Sequence, residues 1–442
     1  MTAISYSDIN QKVLRGLSAP RRTYYFILLA CFVGVLIGAA CWAYQFYVGL
    51  GAAGINHPVM WGTYLINFVF WIEIGHAGSL MSAALYLCRA RWRSPIGRSA
   101  EAMTVFAVFI ALLFPLIHLG RSWIFYWVLP YPNQRNLWPD FQSPLIFDLF
   151  AATGYLAISF LFWSVGLLPD LAVVRDRSQG IRRRLYGFFS MGWTQSYRQW
   201  VPYKWAYLLF AALTTAFVVC VASVVSWDYA LTIVPGYHST IYGPYFLVGA
   251  IHSGLAMLLT LIVPMRWIYR FEELITTRVL ESIAKILIVT TLLLGYVYFV
   301  EFFMAWYSGQ AAERTTFLLR ASGPYGWMFW VTLFCISLPL LFLKKNIRTS
   351  PRWLFSIAIV VNIGMWLERF VIIVGPLTHD FIPYAWGLYM PSLVEIGILV
   401  GSFSLFFFLF LLFTKFLPTI AIAEMKETLG PQGRQAPGES KP

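Results

Sequence analysis

FPLIHLGRSWIFYWVLPYPNQRNLWPDFQSPLIFDLF, residues 114–150, sets a His, an Arg and an Asp into two apolar flanks on either side of a Pro/Asn/Trp turn. The flanks read as two membrane helices and the turn as their connection, and this reading decides the fold. A titratable residue inside hydrocarbon costs at least about 2.5–3.5 kcal/mol on insertion scales, so His118, Arg121 and Asp148 are functional candidates by default.

Outward from that stretch the whole chain has the same character. It has 442 residues, 59% hydrophobic and only 12% charged; soluble proteins carry roughly a quarter charged residues. The expectation is an all-α, polytopic membrane protein. A formal charge of +13 does not point to nucleic acid, because the positive residues sit in short connections between apolar runs, where they orient a chain in a bilayer. The five cysteines, Cys31, Cys41, Cys88, Cys220 and Cys335, lie scattered in apolar segments without a C-x-x-C pair or a C-x-x-C-H haem attachment site. No metal site and no covalent haem of its own is expected. The first apolar run is too long for a signal h-region and is read as a retained span.

About 20 apolar residues cross a bilayer core, and ten segments meet that test, near 24–48, 58–88, 101–130, 143–169, 204–227, 243–268, 281–308, 324–343, 352–376 and 392–416. Of the 32 Lys and Arg, 26 then fall on one side, 3 (Arg135, Arg314, Arg320) on the other and 3 (Arg121, Lys285, Arg369) within spans. That alternation supports ten spans with both termini, 1–23 and 417–442, in the cytoplasm. The Pro/Gly-rich tail after Leu417 is expected to be disordered.

His76-Ala-Gly-Ser-Leu-Met81 in the second span recurs as His252-Ser-Gly-Leu-Ala-Met257 in the sixth, and the spans that follow both begin with Glu, Glu101 and Glu281. The expectation is two repeated four-helix bundles, near 58–227 and 243–376, related by an axis along the membrane normal, with the first and tenth spans flanking them.

This topology gives each polar residue a depth. His118, Arg121, Asp148, Asp228, His252, Glu301 and the Glu368-Arg369 pair fall in the outer half, Glu73 and His76 deeper, Glu101, Glu281 and Lys285 near the inner face. Such an arrangement suits quinol oxidation: an imidazole or carboxylate within hydrogen-bond reach of the quinol hydroxyls accepts protons as two electrons leave. Trp123, Phe125, Tyr126, Trp127, Trp138 and Phe141 supply aromatic surface for a ring. Structural readings stand beside this one. Trp and Tyr at span ends are ordinary interfacial anchors, Arg121 and Arg369 are placed to snorkel, and Glu368-Arg369 suits an ion pair. His76 and His252, beside small Gly residues, suit helix packing, while Glu101 and Glu281 are expected to be solvated. His118 and His76 as haem ligands is a further alternative, limited by only six histidines, of which His57, His238 and His379 fall in or beside loops.

The motifs GHAGSL (75–80), HLGRSW (118–123), SPLIFDLFA (143–151), WDYALTIVPGYHSTIYGPYF (227–246), GYVYFVEFFMAWYSG (295–309) and MWLERFVIIV (365–374) resemble the NrfD/polysulfide-reductase-type quinone-interacting membrane subunits. More narrowly they resemble ActC and ActF, the two large membrane subunits of bacterial alternative complex III. The likeness covers roughly residues 25–420 and leaves the bacterial cytoplasmic (inner) membrane as the expected location. It implies a subunit without a redox centre that binds menaquinol near the outer face. Electrons would pass to iron–sulfur clusters of an extracytoplasmic partner, then to haem c in multihaem cytochrome c subunits, and on to a terminal oxidase or soluble carrier; a homologous membrane subunit would stand alongside, surrounded by membrane lipids. The family's quinol-site positions fall on His118, Asp148 and Asp228, with Arg121, Trp123 and Tyr126 supporting. A proton path would use Glu73 and His76, with His252, Glu301, Glu368 and Arg369 as further polar groups. The presence of both His118 and Asp148 favours ActC over ActF. A compact loop at 130–142, with Arg135 and Asp140, departs from the family pattern. The rivals from other classes are a secondary transporter and a purely structural membrane anchor.

Overall fold

A computed structural model describes residues 5–18, 22–129, 136, 141–142, 144–237, 241–379 and 381–429. Arg135, Trp138, Asp140, His238 and the 430–442 tail lie outside the described residues. Fourteen helices organise the chain: α1 Tyr6–Ser18, α2 Arg22–Val48, α3 Thr63–Leu87, α4 Gly97–His118, α5 Pro144–Asp176, α6 Gly180–Phe189, α7 Tyr197–Ala230, α8 Tyr242–Ile268, α9 Thr277–Tyr307, α10 Ala311–Ser322, α11 Gly326–Leu343, α12 Pro351–Leu377, α13 Leu393–Phe416 and α14 Ile422–Leu429. Among the described residues there is no strand, and ten of the helices, all but α1, α6, α10 and α14, are long and apolar enough to span a membrane. The all-α, ten-span expectation holds.

Helix contacts close two rings. α3, α4, α5 and α7 pack in sequence and α7 returns to α3; α8, α9, α11 and α12 do the same, with α12 returning to α8. The rings meet where α3 crosses α8, and these two are the most enclosed spans, 83% and 78% buried over their apolar stretches against 11% for α2. Their near-continuous apolar sequence therefore faces protein on all sides, as a helix hydrophobic all round must when it is not lipid-exposed. α2 and α13 pair outside the rings, with α13 also against α3 and α4. At their crossing a Cβ on Gly401 would lie 2.6 Å from Gly38 Cα, so the two glycines set the close approach.

The third span is shorter than the sequence suggests. Its α-helix breaks at Leu112 and ends at His118, and a 3₁₀ segment, Ser122–Val128, follows. Pro115 has no N–H to give the carbonyl of Ala111, which breaks the ladder there. Gly120, at φ +67°, then turns the chain out of the helix, a conformation a side chain would resist. His118 thus sits at a helix end rather than inside a continuous span.

The chain after α13 is also unlike its expectation. Thr419, Ile420, Ala421 and Ile422 are buried and α14 packs on α1 and α5. The molecule therefore has a basic end, carrying α1, α6 and α14 together with the Lys/Arg-rich connections, and an opposite end.

Candidate functional site

α5 starts at the opposite end and α7 finishes there. At about 1.5 Å per residue, Asp148 lies about 6 Å into α5 and Asp228 about 3 Å before the end of α7. These two helices pack along their length, which brings the carboxyl groups of Asp148 and Asp228 into direct contact with each other, both nearly buried. A hydrogen bond between carboxyls needs a proton, since an ionised carboxylate only accepts, so this contact can hold one. Oδ1 of each remains buried without a protein partner.

Tyr229, next to Asp228, has a buried hydroxyl that also lacks a partner. Its ring packs 5.8 Å from Trp61, 5.1 Å from Tyr237 and 5.6 Å from Phe246. It is within electrostatic range of Asp148, Asp228 and Arg369.

His118, at the same end, is not joined to Asp148: no hydrogen bond connects them among the described residues. Its ring lies 6.4 Å from that of Tyr64, edge to face, and Nδ1 is buried without a partner. Tyr64 donates to Gln45 Oε1, and Gln45 Nε2 donates to the Ile117 carbonyl at 2.9 Å. Glu395 acts electrostatically on both Tyr64 and His118. It caps α13 with Ser392 and takes hydrogen bonds from Gly54 N at 2.7 Å and Tyr389 Oη at 2.6 Å. Glu395 was missed in the sequence, although Ser392-x-x-Glu395 is a legible capping box. Arg121 is exposed. Trp123 and Tyr126 are largely exposed too; Trp123 packs against Phe46 of α2 with ring centres 5.1 Å apart, and Tyr126 against Phe125.

Deeper, where the rings meet, Arg369 holds two carboxylates. Its Nε donates to Glu73 Oε2 at 2.9 Å, and Nη2 is ion-paired without hydrogen-bond geometry, 2.9 Å from Glu73 Oε1 and 3.0 Å from Glu368 Oε2. Tyr245 and Tyr298 donate to Glu368 Oε1 at 2.9 and 2.7 Å. The guanidinium lies over the Phe246 ring at 4.7 Å. A Cβ at position 249 would come within 2.3 Å of Arg369 Nη2, so Gly249 makes the room this cation occupies. Arg369 is fully buried and does not snorkel. Its ion pair with Glu368 is present, but the hydrogen bond goes to Glu73 of the other ring.

Glu301 continues the cluster toward the opposite end, 3.2 Å from Arg320 of α10. Arg320, counted among the loop charges opposite the basic side, is buried. Burial opposes its charge, but Glu301 and the surrounding tyrosine hydroxyls outweigh that and hold its pKa above the ordinary arginine value. It lines a cavity of about 20 Å³ with Thr316, Tyr325 and His379, enough for about one water.

His252 bonds Thr290 Oγ1 of α9 at 2.8 Å, a helix-packing contact, and no hydrogen bond ties it to the Arg369 cluster among the described residues. His76 is fully buried with neither ring nitrogen bonded to protein, 5.3 Å from the Tyr155 ring. Tyr155 exchanges a 2.7 Å hydrogen bond with Ser79, just before a π-helical turn at Leu80–Ala84. Toward the basic end a second ion cluster follows, missed in the sequence. Arg98 lies 2.5 Å from Glu101 and 3.3 Å from Asp170, and Tyr207 donates to Glu101 at 2.7 Å. Glu101 is therefore not solvated; the α4–α5 packing encloses it. Glu281 stays near the surface, paired with Lys285 and Arg348.

An apolar groove of about 170 Å³, between α2, α4 and α13, ends at Ile117 beside His118. A larger apolar cavity of about 820 Å³ opens between α2, α8, α12 and α13, reaching Tyr269 and Thr414 toward the basic end and Asn362 and Trp366 deeper.

The sequence pattern of the family described as polysulphide reductase, NrfD, matches residues 51–379, which include both rings and nearly every candidate residue. The chain belongs to this NrfD family. It is also similar to the Hdr-like menaquinol oxidoreductase integral membrane subunit of Archaeoglobus fulgidus, 22% identical over 353 residues, 78% of each chain. A provisionally assigned membrane subunit of a dimethyl sulfoxide reductase from Halobacterium salinarum is 27% identical over 230 residues, 51% of this chain and 48% of that one. The chain thus spans about half the length of that relative.

Proposed function

We propose that this NrfD-family protein is the quinol-binding integral membrane subunit of a respiratory quinol:acceptor oxidoreductase, of the ActC type in alternative complex III. The observation that carries the reading is the contacting Asp148–Asp228 pair at one end of the bundle, with the unpartnered Nδ1 of His118 at the same end. These groups leave three buried acceptor atoms without protein partners, Asp148 Oδ1, Asp228 Oδ1 and His118 Nδ1, which suit a ligand with two hydroxyls. The positive-inside rule supports an outer position for this end and both termini in the cytoplasm; the location in this reading is the bacterial cytoplasmic membrane. Similarity to a menaquinol oxidoreductase subunit supports menaquinol as the quinol.

In this reading, the quinol gives its two electrons one at a time to the iron–sulfur clusters of an extracytoplasmic partner and its two protons to His118 and the aspartate pair. Electrons continue to haem c in multihaem cytochrome c subunits, then to a terminal oxidase or soluble carrier. A homologous membrane subunit stands beside this chain. Tyr229 hands the aspartate pair to Arg369, Glu73 and Glu368, with Glu301 alongside. His76 and Tyr155 lie between that cluster and Glu101 on a candidate route for protons. The test is quinol-dependent reduction of the partner's clusters in the assembled complex. His118→Ala and Asp148→Asn each abolish it while the complex stays assembled; full activity in both variants contradicts the site.

A further inference from the structure

The basic end carries a cavity far from the groups assigned to the quinol. Between α1, the end of α5, the start of α6 and the end of α13 lies a cavity of about 570 Å³ whose lining includes Arg15, Arg177, Arg182 and Lys415. No carboxylate lines it among the described residues, and the neighbouring Asp176 is taken by Arg175 at 2.8 Å. Lys415 is steadied at this rim, 3.3 Å from Tyr25 Oη and 4.7 Å from that ring's centre. The rim also holds Ser178 and Gln179, which precede the ten-residue α6; free backbone N–H groups at such a start add to the pull on an anion.

α6 says what kind of anion. Ile181, Leu185 and Phe188, at helical spacing, are all more than half exposed, and Phe189 and Met191 extend the apolar surface. Arg182, Arg183 and Arg184 share the same ten residues. On the inner side, Tyr186 ties α6 to the end of α13 through the Phe416 carbonyl at 2.8 Å. An exposed apolar face with arginines beside it is the signature of a helix lying in the membrane interface. The cavity thus opens beside acyl chains, and basic pockets of this kind between spans take phosphate headgroups.

We propose that this cavity is a headgroup site for an anionic phospholipid, its phosphate held by Arg15, Arg177, Arg182 and Lys415 and its chains laid along the Ile181/Leu185/Phe188 face. The purified full chain in detergent is titrated with phosphatidylglycerol, with phosphatidylcholine of the same chains, and with inorganic phosphate, and retention is read by native mass spectrometry. Phosphatidylglycerol is retained at least about fivefold over phosphatidylcholine, the scale expected for one basic contact. The preference is lost in the Arg15→Gln/Arg177→Gln/Arg182→Gln/Lys415→Gln variant but kept in Arg89→Gln/Arg278→Gln/Lys344→Gln/Lys345→Gln, which removes the same charge elsewhere. Equal retention of the two lipids, an unchanged preference in the first variant, or displacement of lipid by inorganic phosphate overturns the proposal. Should the first variant fail to fold, photoactivatable phosphatidylglycerol on the unaltered chain decides: adducts fall on α6 and the end of α13, and adducts confined to other segments refute the site.

Discussion

At the residue scale the molecule is governed by carboxylates that burial forces into company. Asp148 and Asp228 touch across two packed helices, and we propose that they act as one proton-holding unit. Groups in direct contact do not contribute independently. Asp228→Asn therefore lowers quinol-dependent cluster reduction as Asp148→Asn does, and the double variant is no worse than either single; fully multiplicative losses in steady-state rates would contradict the coupling. Arg369 makes the opposite case, a cation between Glu73 and Glu368. Its removal leaves two buried carboxylates uncompensated, so Arg369→Met lowers stability by about 3–5 kcal/mol, measured as unfolding of the purified chain in detergent; an unchanged unfolding curve would contradict the paired cluster. The sequence made Asp148, Asp228, Glu73 and Arg369 legible as costly residues in apolar runs. It did not reveal their partners, because depth along a span fixes height but not which face meets which. So it grouped His118, Asp148 and Asp228 without saying which meet; the fold sets Asp148 against Asp228 and His118 beside Tyr64.

At the element scale, composition was a reliable guide and punctuation a less reliable one. Ten apolar runs became ten spanning helices because nothing else satisfies their backbone in hydrocarbon. The overlong third span was misjudged because apolar content outweighed Pro115 and Gly120, which end the helix at His118. The segment after α13 was misjudged for the converse reason: the Gly/Pro-rich last residues coloured the reading of Thr419–Ile422, which are buried. That segment covers the second ion cluster. Ala423 N donates to Asp170 at 3.1 Å, Glu424 lies 2.8 Å from Arg93, and Ser99 donates to the Thr419 carbonyl at 3.0 Å. Ile422→Ala accordingly costs about 2–5 kcal/mol, and deletion of 418–442 costs more, since Arg98, Glu101 and Asp170 lose their cover. Thermal unfolding of both variants checks this; a deletion as stable as the full chain would show that the segment is not part of the core.

At the scale of the whole molecule, two four-helix rings share a seam at α3 and α8, and the polar residues form a descending series through it. The aspartate pair stands at one end, the Arg369 cluster at the seam, His76 with Tyr155 below it, and the Arg98 cluster at the basic end. The sequence repeat around His76 and His252 foreshadows two rings, yet the two histidines serve different neighbours, Tyr155 for one and Thr290 for the other. Among the described residues only the first ring brings two carboxyls into contact at the opposite end, so we propose that ring for the quinol chemistry. Two cavities compete to receive the quinol, the narrow groove that ends at Ile117 and the much larger one between α2, α8, α12 and α13. A map of the intact complex with bound quinone separates them most directly. The account predicts the headgroup at the aspartate end, within hydrogen-bond reach of His118 or Asp148; a headgroup in the larger cavity, beside Asn362 or Tyr269, would contradict it.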